Sequence, residues 1–246
     1  MTMDQKTLAE VMEATWPSAS CTRCGPFVLR DGQGGGKRVS AATVEGPWSE
    51  ADLDRAETAM SAPLFLIRAG DESLDAALAA RGYEVVDPVQ AYAAPVDALV
   101  GEGPAYMTTF PHWPPMQIVR QLWQDAGIGA ARLAVMERVR GPKTVILGRS
   151  SDRPSAAAFV ACHGRHAMLH ALEVVPGLRR QGSAQNVLRA AAGWAKAEGA
   201  DTLSLVVTTS NVAARALYAR MGMQEIGAYH YRRRQVGTKT ADGQAG

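Results

Sequence analysis

The chain is 246 residues long, 47% hydrophobic and 20% charged, enough apolar material for a packed core and too little charge for a disordered bulk. Lysine and arginine number 26 against 24 acidic residues, a net charge of +2, which lacks the electrostatic footprint of a general nucleic-acid binder. Cys21, Cys24 and Cys162 are too few, and odd in number, for a disulfide-stapled secreted fold, so a reducing cytoplasm is the expected compartment. Asp4 and Glu10 interrupt the stretch where a signal peptide needs a basic start and an unbroken apolar run. No segment approaches the roughly 20 apolar residues of a membrane-spanning helix, so no membrane partner is expected.

Leu8, Val11 and Met12 lie at helical spacing before Trp16-Pro17 and predict an opening helix over 4–15. Residues 25–30 and 38–43 read as a hairpin around the glycine run of 31–37, whose residues accept the positive φ of a tight reversal. A helix over 49–60 follows with Ser49 as N-cap, then a strand at 64–67, a helix at 71–81 stopped by Gly82, and a strand at 83–93. Between Pro95 and Pro115 glycine and proline accumulate as in a connection, which suggests a first half of 1–100 and a second of 101–236. In the second half a helix is expected at 116–126, with strands near 131–138, at 144–148, at 156–162 and at 166–175. The last residues, 237–246, have nothing to bury and read as a loose tail. Recurring strand, turn and helix signals fit α/β or α+β layering with a mixed sheet.

Chemistry concentrates between Met168 and Trp194, where extended periodicity changes to helical at Pro176-Gly177. Ala184, Val187, Leu188, Ala191 and Ala195 trace one apolar helix face, so Gly182 and Ser183 fall at the helix start. Unpaired backbone N–H groups and the positive end of the helix dipole gather there beside Arg179 and Arg180, an arrangement suited to a pyrophosphate.

Arg179-Arg180-Gln181-Gly182-Ser183-Ala184 resembles the R/Q-x-x-G-x-G/A signature of the GNAT acetyltransferase superfamily, in place between a strand and a long helix. Downstream, Asn211 to Tyr218 with Met221-Gly222-Met223 resembles that family's N-x-x-A-x-x-L-Y…GF block, and the resemblance spans roughly 105–236. Residues 25–43 and 74–88 look like the diverged amino-terminal half of two-part GNAT proteins, without a second glycine turn of this kind.

The resemblance implies a GNAT-like mixed sheet flanked by helices, acetyl-CoA as co-substrate, no metal, and transfer of an acetyl group to an amine of a small molecule or peptide. It implies that backbone groups of Leu172 and Val174 pair with the pantetheine arm, that the Val174 amide polarises the thioester, that Asn211 orients the pantetheine, and that Tyr218 protonates the leaving thiolate. Pairing of two copies is common among such folds, and a homodimer stays open.

An alkyl amine with a pKa near 10.4 needs a proton acceptor at neutral pH. Strand alternation puts Glu173 on one face with Leu169 and Ala171, and His170 on the other with Met168 and Leu172, unless a bulge intervenes. Glu173 is the preferred base on position, ahead of His170 and His163, with a water chain as an equal competitor. Bland readings stand beside these: Tyr218 as a core aromatic, Asn211 as a plain N-cap, the glycine run as a turn, Cys21 and Cys24 as unpaired thiols, and Arg232 to Arg234 as solvated charge. Trp113 at the half boundary is a candidate acceptor contact. The competing function class is a non-catalytic acyl-CoA sensor.

Overall fold

In the computed structural model, which describes residues 3–234, the first half runs α1 (Gln5–Thr15), β1 (Ser20–Cys24), β2 (Phe27–Asp31), β3 (Thr43–Val44), α2 (Glu50–Ala59), β4 (Leu64–Arg68), α3 (Glu72–Ala80) and β5 (Tyr83–Pro95). The second half continues with α4 (Val96–Val100), β6 (Thr109–His112), α5 (Gln117–Asp125), α6 (Ala130–Arg138), β7 (Lys143–Ser150), β8 (Arg153–His163), β9 (His166–Val174), α7 (Ser183–Ala197), β10 (Thr202–Thr208), α8 (Val212–Arg220) and β11 (Gln224–Arg234). The tail expected over 237–246 lies outside the described residues. No helix among the described residues is long and apolar enough to cross a membrane.

Local chemistry accounts for most of these boundaries. The Asp4 carboxylate accepts the Thr7 N–H at 2.7 Å and starts α1, whose Leu8, Val11 and Met12 are buried. Ser49 and Asp52 form a reciprocal capping box on α2, and Gly82, at φ +79°, turns the chain out of α3.

Two expectations are corrected. Residues 131–138 are helical, not extended: Ala, Leu, Met and Arg dominate the segment, and Val135 and Met136 bury themselves against the cluster around Trp123. The expected strand over 38–43 is a single 3₁₀ turn at Lys37–Val39, and only Thr43 and Val44 pair with β2. Gly34 and Gly36 adopt φ of +78° and +103°, and a Cβ on Gly35 would lie 2.5 Å from Val135 Cγ2, so the glycine run is a loop pressed against α6. The tight hairpin is instead β1–β2, closed at Gly25-Pro26.

The main sheet has the order β4-β11-β5-β10-β9-β8-β7-β6, and β1-β2-β3 form a smaller one linked to it by the parallel bridge Ala42–Phe65. The succession strand, strand, helix, strand, helix, strand occurs twice, as β2-β3-α2-β4-α3-β5 and as β8-β9-α7-β10-α8-β11. Each unit's last strand lies beside the other unit's fourth element: β5 pairs antiparallel with β10, and β11 pairs antiparallel with β4. The sheet therefore has no break at residue 100. Helix α7 covers β7, β8 and β9 through Val187, Leu188, Ala191, Ala192 and Ala195, small residues that let it lie close.

At the charged end of β11, Arg232 is structural rather than solvated. Asp75 of α3 accepts from Arg232 Nε at 2.7 Å and Nη2 at 3.0 Å, and from His230 Nε2 at 2.8 Å. The Arg232 hydrogen bonds, with help from His230, hold the carboxyl down at about 2 against an ordinary 3.8. That contribution is complete above the ordinary value and is lost as pH falls through about 2. Asp75→Asn is expected to lower unfolding free energy by about 2 kcal/mol at neutral pH in urea titrations, and the gap from wild type should narrow as the pH is taken down toward the folded-state value.

Candidate active site

Strands β9 and β10 pair in parallel from His166–Thr202 to Leu169–Leu205 and then part. Beyond that point β9 stays with β8 as far as Val174, and β10 stays with β5 as far as Thr208. A wedge opens between them. The Val175 N–H donates to the Ser155 carbonyl at 2.9 Å, so antiparallel alternation turns the Val174 amide, and by the same parity that of Leu172, toward the wedge. The Val174 carbonyl accepts from Arg179 Nε at 3.3 Å.

A bulge sits where β9 leaves β10. Register passes from Phe159–His170 to Ala157–Glu173, and Ala171 takes φ +51°. The Trp123 indole N–H donates to the Ala171 carbonyl at 2.9 Å and pins the bulge. Strict alternation places His170 and Glu173 on opposite faces; with the extra residue both line one cavity.

Two cavities meet in the wedge. The larger, about 770 Å³, runs from Val174 past Arg179, Arg180 and Gly182–Gln185 to the inner face of α8. The smaller, about 380 Å³, is bounded by Trp16, Gly35–Arg38, Asp87, Arg132, His170, Tyr229 and Tyr231. Leu172, Glu173, Asn211 and Tyr218 line both. Trp113 lines neither and packs on Phe159. His163 is exposed at the far end of the β8–β9 hairpin, paired with His166.

The start of α7 fits a diphosphate. Gly182 is the N-cap in the left-handed conformation at φ +83°, no side chain caps the helix, and its opening backbone bond runs from Asn186 N–H to the Gly182 carbonyl. That leaves the amides of Ser183, Ala184 and Gln185 without an intrahelical acceptor. The Ser183 hydroxyl is buried with no partner among the described residues. Arg179 and Arg180 line the same cavity, whereas Gln181 accepts from the Ser150 hydroxyl at 2.9 Å and turns away. Helix α2, the counterpart in the first unit, starts in a capping box in which Ser49 accepts from the Asp52 N–H, and it carries the Asp52 carboxylate in its first turn.

Tyr218 is buried, tilted against Tyr92 at 5.7 Å, and its phenol is pushed up to about 12 by burial and then by the nearby Glu173 charge. It holds its proton at neutral pH. Burial also raises Glu173, with Arg179 and Arg132 opposing the rise. Asn211 caps α8, accepting from Ala214 N–H at 3.1 Å, and lines both cavities, so capping and contact with a ligand coexist. The Thr15 hydroxyl donates to the Val11 carbonyl at 2.6 Å, so it accepts from His170 Nε2 at 2.9 Å. His170 Nδ1 then accepts from Arg38 Nη1 at 3.0 Å. Both ring nitrogens are engaged, which argues against His170 as the base.

Several wall residues escaped the sequence reading: Arg38 and its glycine loop, Arg132, Asp87, Trp16, Tyr229 and Tyr231. Only Arg38 carried a signal, the step from three glycines into Lys37-Arg38, and a turn explains that equally well.

The acetyltransferase (GNAT) family model matches residues 106–223. The uncharacterized N-acetyltransferase YobR of Bacillus subtilis is 24% identical over 93% of this chain and 98% of its own. A GCN5-related N-acetyltransferase from Kribbella flavida superposes with a TM-score of 0.70 at 18% identity, covering 94% of this chain and 95% of that one. A tandem GNAT protein from the clavulanic acid biosynthesis pathway superposes at 0.59 and 14% identity, over 92% and 86%. Residues 106–223 are thus a GNAT-family domain within the second half, and the fold of the chain as a whole is that of these GNAT structures.

Burial, and then the Arg38 charge, hold the His170 imidazole well below its ordinary 6.5. Nitrogen-15 NMR should find a neutral ring protonated on Nε2 at that pH. Because the unfolded chain takes up this proton first, His170 should cost the fold stability as pH falls below 6.5. A stability–pH slope in this range that His170→Gln leaves untouched would contradict the assignment.

Proposed function

We propose that the protein is a cytoplasmic, acetyl-CoA-dependent N-acetyltransferase that moves an acetyl group to a primary amine of a small-molecule or peptide acceptor by direct attack in a ternary complex. The observation that carries this reading is the meeting of two cavities at a buried acid and a half-buried base: Tyr218 and Glu173 line both. A sensor that only held the cofactor would have no use for the second cavity.

Acetyl-CoA supplies an acetyl group activated as a thioester. For its diphosphate, the free amides of residues 183–185 and the charges of Arg179 and Arg180 are the donors on this chain. The amide of Val174, turned into the wedge, is placed to hydrogen-bond the carbonyl oxygen as charge grows on it. Glu173 takes a proton from the incoming ammonium, so that nitrogen has a free electron pair as the carbon–nitrogen bond forms and the carbon–sulfur bond breaks. Tyr218 gives a proton to the departing sulfur, and the second proton that nitrogen sheds as the amide forms restores the tyrosine hydroxyl, directly or through water. Direct attack is favoured over an acyl-enzyme because Cys162 is buried and its thiol is pushed up to about 12 by that burial.

The first half reads as a degenerate copy. Leu78 of α3 stands four residues before Gly82, as Tyr218 of α8 stands four before Gly222, so the proton donor is missing there. The capped, acidic start of α2 removes the diphosphate site as well.

Tyr218→Phe should lower kcat by about 100-fold or more in a thiol-release assay while calorimetry finds acetyl-CoA binding unchanged. Glu173→Gln should do likewise and should remove the acid limb of the kcat/KM profile, where activity falls as pH drops through the raised pKa of Glu173. Gln185→Glu copies onto α7 the first-turn carboxylate of α2, and should weaken acetyl-CoA binding about tenfold without loss of thermal stability, since a helix start welcomes negative charge.

A further inference from the structure

The wall of the smaller cavity carries three cations, Lys37, Arg38 and Arg132, against two carboxylates, Asp87 and Glu173. Lys37 Nζ is paired with Asp87 at 2.6 Å. The field at Glu173 comes from Arg179 and Arg132. Arg38 is left over: among the described residues no carboxylate lies within ion-pair distance of it. Its Nη1 donates to His170, a neutral ring; its Nε is sealed from solvent without a partner; and the guanidinium sits 5.9 Å from the Trp16 ring centroid. Tyr229 and Tyr231 bring their hydroxyls beside it.

A guanidinium set in a cavity wall carries a desolvation cost, and here the groups that offset it, His170, the Trp16 ring and the hydroxyls of Tyr229 and Tyr231, include no carboxylate. The guanidinium fork can only donate, and the Tyr229 and Tyr231 hydroxyls beside it have O–H groups to donate as well, a set of donors that complements a carboxylate. An acceptor that entered as a bare ammonium ion would meet a wall that already has one positive charge in excess. An acceptor with its own anion cancels that excess. The cavity is also polarised along its length: Glu173 and Tyr218 stand at the mouth shared with the larger cavity, and Arg38, Trp16, Tyr229 and Tyr231 belong to the smaller one alone.

We infer that the acceptor is a small dipolar molecule, a primary amine that also carries a carboxylate, bound with its amine at Glu173 and its carboxylate at Arg38 between Tyr229 and Tyr231. The amine end of this assignment rests on the acyl-transfer reading above; the carboxylate end does not.

The test is a calorimetric titration of the protein, with and without coenzyme A, using linear ω-amino carboxylates of increasing chain length, each compared with the alkylamine that lacks the acid group. At least one acid should bind saturably, and its matched amine roughly 10- to 100-fold more weakly, the worth of a charge-assisted hydrogen-bond pair. Arg38→Met should erase that preference while coenzyme A still binds, and Arg38→Lys should restore part of it. The inference is overturned if no acid in the series binds, if an amine binds as well as its acid, or if the preference survives in Arg38→Met. If the methionine variant does not fold, the wild-type comparison of acid with amine decides alone. Failure of wild type to bind coenzyme A would instead overturn the acyl-transfer reading and leave the acid-over-amine result standing.

Discussion

Two parallel strands that stop pairing leave backbone donors and acceptors with nowhere to go, and the site of this protein is organised around that vacancy. After Leu169 and Leu205 the ladder between β9 and β10 ends, although both strands continue along their other neighbours. Buried amides demand partners. The wedge therefore supplies directional hydrogen bonding at the centre of the sheet, and everything chemical is aimed at it: the free start of α7, the cap of α8, and the bulge at Ala171. The bulge matters most for reactivity, because it brings His170 and Glu173 to one cavity and gives them different tasks. Thr15 and Arg38 occupy both nitrogens of His170, while Glu173 keeps a carboxylate raised by burial.

The two units of the chain show how little separates a helix start that can take an anion from one that cannot. Helices α2 and α7 occupy matching places in the order of elements. In α2 a serine and an aspartate close the helix start on itself through a reciprocal pair of side-chain bonds and put a carboxylate there. In α7 a glycine in the left-handed conformation leaves the first-turn amides open. The first unit nevertheless contributes to the site from another direction, since its glycine loop, Asp87 and Trp16 wall the smaller cavity.

Much of this was legible in the letters. The change of periodicity at Pro176-Gly177 located α7, and Gly182 with its neighbouring arginines marked the uncapped helix start, because both signals are local. The alternation of Glu173 against His170 even stated the condition, a bulge, under which both reach one cavity. What could not be read was long-range. Residues 131–138 carry an apolar pattern compatible with either state, and burial of Val135 and Met136 beside Trp123 decided for helix. The role of Arg38 depends on a neighbour 132 residues away in sequence. Arg232 looked like solvated charge because its partner, Asp75, belongs to the other unit.

The exchange of final strands also bears on how the protein is made. Strand β11 lies between β4 and β5, so the ladder on either side of it stays open until the last residues of the described chain have left the ribosome. Until then the nascent polypeptide carries exposed sheet edges from its own first half, and these are the surfaces through which incomplete chains aggregate. Closure of the sheet thus waits for β11, and the amino-terminal unit cannot serve as a finished platform on which the rest is laid down.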